Sequence, residues 1–143
     1  MTQTPTLTGQ DIGQAERATR AVFDRLLAES GTSFPGWVIL NDLDSNGPTL
    51  EQEAQVSRLA RALRVDEPPV HAALDDVVGH GLVGRAGTEI TLTPAGEARV
   101  RQVRAGIARI AARFYGDLPA EDLATAHRVL ATVTERANAE LAS

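Results

Sequence analysis

Two neighbouring segments with helical spacing, separated by a tight turn, constrain most strongly what this 143-residue chain can fold into. Residues 49–64 and 68–80 each carry apolar side chains at steps of three and four, as an amphipathic helix does. Residues 65–67 form the turn, and Pro68 and Pro69 suit a first helical turn. Gly81-Leu82-Val83 then leads into a strand, while 89–93 alternates apolar and polar residues before Pro94. The pattern predicts two helices and a hairpin whose tip is 86–88.

Helical patterns also flank this central region. Residues 11–29 and a dense apolar stretch after Ser33 predict two helices before it, and Thr49 and Gln52 stand at capping-box spacing for the third. Residues 100–114 and a segment restarting at Pro119 predict two more helices after the hairpin. We therefore expect one mainly α domain over 1–143, with about six helices and a small β-hairpin wing. The predicted architecture is a winged helix-turn-helix, whose second helix can enter a DNA major groove.

Composition excludes several classes of protein. The chain has no cysteine, which excludes disulfides and thiolate sites and suits the cytoplasm. Residues 1–9 are polar, and no apolar run approaches the ~20 residues of a membrane span, so no membrane association is expected. A phosphate-binding glycine loop, a two-histidine metal helix and a nucleophile motif are also lacking. We expect no enzyme activity and no cofactor.

Four short motifs carry a resemblance to a known family. They are Leu-Ala-Arg-Ala-Leu-Arg-Val at 59–65, the pair Val70 and Leu74, Gly81-Leu82-Val83, and Leu-Thr-Pro-Ala-Gly at 92–96. In this order and spacing the sequence resembles the MarR family of winged helix-turn-helix transcription regulators. The resemblance implies a homodimer built from helices at about 9–30 and 94–143, with a DNA-binding lobe at about 34–93. It also implies a repressor of a palindromic operator that responds to a small aromatic or phenolic molecule.

Candidate site residues follow from the predicted helices and from this resemblance. Candidate DNA contacts are Arg58, Arg61, Arg64, Pro69, His71, Ala72, Asp75, Arg85 and Thr88. Candidate dimer contacts are Ile12, Val103, Ile107, Ile110, Phe114, Leu123, Leu130 and Val133. Phe23, Trp37 and Leu40 would line an effector pocket, although three large apolar side chains at helical spacing are more often plain core.

Charge leaves a second function open. Residues 49–93 contain four arginines and seven acidic residues, and the whole chain has a formal charge of -5. Phosphate affinity rests on cations, so DNA binding by this lobe should be weak and salt-sensitive. Related regulators commonly have basic residues where Ala72 and Asp76 stand, and a longer, cationic wing tip than 86–88. The alternative function is a winged-helix protein-interaction module with weak or lost DNA binding.

One further motif suggests a metal. Asp42-Leu43-Asp44-Ser45-Asn46-Gly47, with Glu53 six residues after the glycine, matches the oxygen-ligand pattern of a calcium loop. An ordinary Asn-Gly turn after a helix explains the same residues and is the favoured interpretation. His71 and His80 lack the spacing of a metal pair on one helix face, so no metal site is expected.

Overall fold

The fold is mainly helical with a small antiparallel sheet. A computed structural model describes residues 4–143, so the first three residues of the polar N-terminal segment lie outside it. In chain order the elements are α1 Gly9–Glu29, α2 Phe34–Asn46, β1 Thr49–Glu51, α3 Gln52–Leu63, α4 Glu67–Gly79, β2 Val83–Ala86, β3 Glu89–Leu92, α5 Pro94–Tyr115 and α6 Ala120–Ala142. The predicted winged helix-turn-helix with six helices and a hairpin is confirmed.

The contacts of the chain group into two compact units. The first ends at Ile107, and the second is Ala108–Ser143. The core of the first unit consists of apolar side chains from α1 to α5 and from the sheet, which are almost completely buried. Its largest members are Leu27, Ile39, Leu40, Leu43, Val56, Leu74, Ile90, Val100 and Val103. Close packing of α1 on α5 requires a glycine, because a Cβ at Gly106 would lie 2.5 Å from a methyl carbon of Leu26.

Strand β1 corrects the predicted start of the third helix. Thr49 does not cap α3, because it pairs with Thr91 in a sheet of order β1-β3-β2. The cap is instead Glu51, whose carboxylate accepts hydrogen bonds from the backbone N–H groups of Glu53 and Ala54 at 3.3 and 2.6 Å. Local spacing suggested the capping box, but the pairing with β3, about 40 residues away, decides the conformation.

The helix-turn-helix angle is set by a residue in the left-handed region. Arg64 ends α3 with φ of 56°, and the N–H of Val65 donates to the carbonyl of Ala60 at 3.0 Å. This backbone geometry reverses the chain within a few residues, so α4 can begin at Glu67. Pro68 and Pro69 occupy its first turn, as the sequence predicted.

The second unit contains the end of α5 and all of α6. No residue of the 23-residue α6 is buried, although apolar side chains recur along it at steps of three and four. The large exposed apolar residues of this second unit are Tyr115, Leu118, Val129, Leu130, Val133 and Leu141. Among residues 4–143, no helix is both long enough and apolar enough to cross a membrane.

Candidate nucleic-acid interface

Helix α4 has one buried face and one exposed face. Val70, Leu74 and Val77 face the core of the first unit. Pro69, Ala72, Asp75 and Asp76 are exposed, and His71 is half-buried. A helix held from behind by apolar packing and presenting its other face to solvent has the geometry of a recognition helix. The exposed face carries carboxylates where a DNA reader commonly carries donors.

The arginines of α3 and its C-terminus do not share one environment. Arg61 and Arg64 are exposed, Arg61 in the last turn and Arg64 just after it. Arg58 is engaged with α2, because its two terminal nitrogens donate to the two carboxylate oxygens of Asp42 at 2.8 and 2.9 Å. Arg58 therefore ties α3 to α2, and donors on both of its terminal nitrogens are already engaged with a carboxylate.

Asp42 lies at the centre of a polar cluster between α2 and α3. It is 8% exposed and also accepts hydrogen bonds from Asn46 and Gln55 at 2.8 and 2.9 Å. Burial raises the pKa of its carboxyl, but the hydrogen bonds from Arg58, Gln55 and Asn46 and the charge of Arg58 together outweigh it and lower the pKa below 3.8. The cluster thus stabilises the ionised carboxylate.

The same contacts argue against the calcium-loop alternative. Helix α2 continues to Asn46, so Asp42 lies inside a helix rather than at the start of a loop. Its oxygens already accept from Arg58, Gln55 and Asn46. Within residues 4–143, no group of three or more histidine or acidic side chains is arranged to hold a metal ion. Gly47 forms the turn, as the ordinary interpretation expected.

Arg85 joins the wing to both helices of the motif. Its Nε donates to Oε1 of Gln52 and its Nη2 donates to Oδ1 of Asp75, each at 2.8 Å. Thr88, at the exposed wing tip, accepts a backbone hydrogen bond from the N–H of Gln52 at 2.8 Å. The start of α3, the middle of α4 and the hairpin are therefore connected at one surface, which the candidate residues Asp75, Arg85 and Thr88 share.

His71 of the candidate surface and His80 at the C-terminal end of α4 both lie beside carboxylates. His71 Nε2 is 3.6 Å from Glu53, and His80 Nδ1 is 3.5 Å from the carboxylate of Asp76. His71 therefore faces α3, where Glu53 would compete with a phosphate for it. Sequence reasoning missed Gln52 and Glu53 as members of this surface, because nothing in the local pattern links them to α4 or to the wing.

The candidate pocket residues pack against one another in the first unit. The rings of Phe23 and Trp37 meet edge to face with centroids 6.5 Å apart, and those of Phe23 and Phe34 meet at 6.1 Å. Leu40 is fully buried beside the same core. The guanidinium of Arg20 lies 3.5 Å from the centroid of the Phe34 ring, which places a cation at the edge of the aromatic group.

The candidate dimer residues differ in exposure. Val103 is completely buried among side chains of its own unit, so it has no surface to offer a second copy and belongs to the core. Ile12, Ile107, Ile110, Phe114 and Leu123 are half-buried. Leu130 and Val133 are exposed on α6, and Val129 beside them is a further exposed apolar residue that the predicted set lacks.

Comparison with known proteins identifies the fold. No family model matches the sequence, and no curated protein matches it. Among solved structures, the MarR family transcription regulator SP03579 shares 26% identity over 93% of both chains, with a TM-score of 0.72. The Mycobacterium tuberculosis MarR family protein Rv2887, solved in complex with DNA, shares 23% identity over 90% of this chain and 98% of its own, with a TM-score of 0.73. Staphylococcus aureus MarR, solved with salicylate and kanamycin, shares 14% identity over 92% of this chain and 90% of its own, with a TM-score of 0.78. The chain therefore has the winged helix-turn-helix fold of the MarR family of transcription regulators, as its sequence motifs indicated.

Proposed function

We propose that this protein is a homodimeric, DNA-binding transcription regulator that acts as a repressor in the cytoplasm, and not an enzyme. The observation that carries the proposal is α4, which is packed from behind by Val70, Leu74 and Val77 and connected to the wing through Arg85. In this proposal α4 enters the major groove, and Arg61 and Arg64 contact phosphates. A structural relative, Rv2887, has been solved with DNA, which supports the same use of this fold.

The proposed partner in the dimer is a second copy of the chain. Support comes from α6, whose apolar residues recur at helical spacing while none of its residues is buried. A 23-residue helix of this kind gains little from its own hydrogen bonds in water and is normally stabilised by apolar packing. A two-fold dimer would present two copies of α4 to the two halves of a palindromic operator.

The proposed effector is a small aromatic or phenolic molecule. Support comes from the aromatic group of Phe23, Phe34 and Trp37, whose rings suit an aromatic ligand. Arg20 lies at the edge of this group but also pairs with Glu16 and Asp24. Staphylococcus aureus MarR has been solved with salicylate. Isothermal titration of the protein with salicylate should give saturable heat that Trp37→Ala reduces. Unchanged heat in that variant would assign Phe23, Trp37 and Leu40 to the core alone.

The proposed DNA binding is tested by a fluorescence titration. Purified protein is titrated against its own upstream DNA and against a scrambled duplex of equal length, at low and at moderate salt. We expect tighter binding to the upstream duplex, and weaker binding as salt rises, because phosphate contacts release counterions. Equal or absent binding to both duplexes would contradict the regulator function.

A specific observation favours one other function, a winged-helix protein-interaction module. Residues 49–93 have a net formal charge of -3, and Arg58 and Arg85 are paired with carboxylates of the same chain. Such a surface suits a basic protein better than a phosphate backbone. Under this alternative, replacing Arg64 would leave DNA affinity unchanged, since no phosphate would contact it.

A further inference from the structure

Arg85 has an unusual place among the cations of this surface. It is the only lysine or arginine between Arg64 and Arg99, a segment that includes all of α4 and the hairpin. Its side chain is 35% exposed, whereas that of Asp75 is 66% exposed. Because Gln52 and Asp75 come from α3 and α4, three elements determine where this one guanidinium lies.

The two contacts leave part of the guanidinium available. Arginine has five N–H donors in a planar fork, and Gln52 and Asp75 each take one of them. Within residues 4–143, both donors of Nη1 and one of Nη2 have no partner. A phosphate can therefore bind Arg85 without displacing Asp75 or Gln52, and the side chain has little rotamer freedom left to lose on binding.

We propose that Asp75 and Gln52 are positioning residues that hold Arg85 ready to bind a backbone phosphate beside the wing. The inference rests on the proposed DNA-binding function and deepens it. Under this inference the carboxylate of Asp75, on the exposed face of α4, supports DNA binding despite its negative charge. Asp76, next in sequence, lies beside His80 and not beside Arg85, so under this inference its charge only repels phosphate.

Asp76 provides a matched control for Asp75. Both are exposed acidic residues on α4, and replacing either by alanine removes one negative charge. They differ in their partners, since Asp75 pairs with Arg85 whereas Asp76 lies beside His80. If charge alone mattered, the two replacements would change DNA affinity in the same direction.

The experiment measures dissociation constants for the upstream duplex at several salt concentrations, for wild-type protein and for variants with unchanged thermal unfolding. We expect Asp76→Ala to tighten binding about twofold, because one exposed charge is removed. Asp75→Ala should weaken it about threefold, the size expected for freeing one long side chain. Asp75→Asn keeps an acceptor and should restore at least wild-type affinity.

A second measurement distinguishes positioning from a merely structural role. Arg85→Gln should lower the slope of log affinity against log salt by about one, as expected for one lost phosphate contact. In that background Asp75→Ala should no longer weaken binding. Equal tightening by Asp75→Ala and Asp76→Ala, or an unchanged slope in Arg85→Gln, would overturn this inference while leaving the regulator function standing. Absence of wild-type binding to any duplex would overturn the regulator function and the inference with it.

Discussion

The winged-helix region and helix α6 bury their apolar residues in different ways. Leu43, Val56 and Leu74 are completely inaccessible within one chain, whereas Leu130 and Val133 are each 44% exposed. Both regions show helical apolar spacing in the sequence, so the pattern alone does not distinguish them. The difference teaches that the first region is stabilised by its own core, whereas the exposed apolar residues of α6 are what the proposed dimer would cover with a second copy of the chain.

Two acidic residues, Asp42 and Asp75, show a similar contrast between a buried and an exposed ion pair. Asp42 is a buried acid held by three donors, and its pairing with Arg58 is part of the packing of α2 on α3. Asp75 is an exposed acid whose partner, Arg85, keeps donors for another group. The first pair should affect stability, whereas the second should affect binding, because exposed ion pairs contribute little to stability.

The largest expected effect is on the core of the first unit. Leu43→Ala should lower the free energy of unfolding by roughly 3 kcal/mol, since it removes a fully buried side chain and leaves a cavity. Leu141→Ala, at a residue that is 67% exposed, should change it by less than about 0.5 kcal/mol. Urea denaturation at low protein concentration checks both. Similar losses in the two variants would remove the distinction between the regions.

The next effect concerns the apolar face of α6. If α6 forms the proposed dimer, Val133→Arg should convert it to a monomer and weaken operator binding roughly 100-fold, because linkage of two half-sites is lost. Sedimentation velocity and the fluorescence titration measure the two quantities. Glu135→Arg is the control, since 100° per residue places position 135 on the opposite face of the helix from Val133. A dimer that tolerates Val133→Arg would show that this face is not the interface.

A smaller effect is expected on the DNA-facing side. Arg64→Glu should lower the affinity for every duplex about tenfold and reduce the salt slope, because a phosphate contact is replaced by repulsion. Asp76→Arg should act in the opposite direction. Unchanged affinity in Arg64→Glu would favour the protein-interaction module over the regulator.

The smallest effect is the pH dependence of stability. The pKa of Asp42 is lower in the folded chain than its ordinary value of 3.8, so the folded state favours the ionised carboxylate. The contribution is therefore present above pH 3.8 and is lost as the pH falls through the lower, folded-state pKa. Urea midpoints measured from pH 6 to pH 3 should fall less steeply in Asp42→Asn than in wild type. Parallel curves would contradict a stabilising role for the ionised pair.

Local patterns predicted much of the fold. Ser33 caps α2 through a hydrogen bond from the N–H of Gly36, and Pro68 and Pro69 lie in the first turn of α4, as their residue types indicated. The start of α3 was wrong, because Thr49 pairs with Thr91 across the sheet. Contacts between distant residues are absent from any local pattern, so sequence spacing reveals neither the Asp42 cluster nor the Arg85 contacts. The heptad-like spacing of Val103 predicted an interface position, but the same spacing fits a core position, and Val103 is buried in the core.

The central claim is that two copies of this chain bind one duplex through α4. It is tested most directly by a stoichiometric titration of the palindromic upstream duplex, at concentrations well above the dissociation constant, with the mass of the complex read by sedimentation. Two chains per duplex, and weak binding to a duplex carrying half of the palindrome, is the predicted result. One chain per duplex with equal affinity for the half-site, or no complex with either duplex, would contradict it.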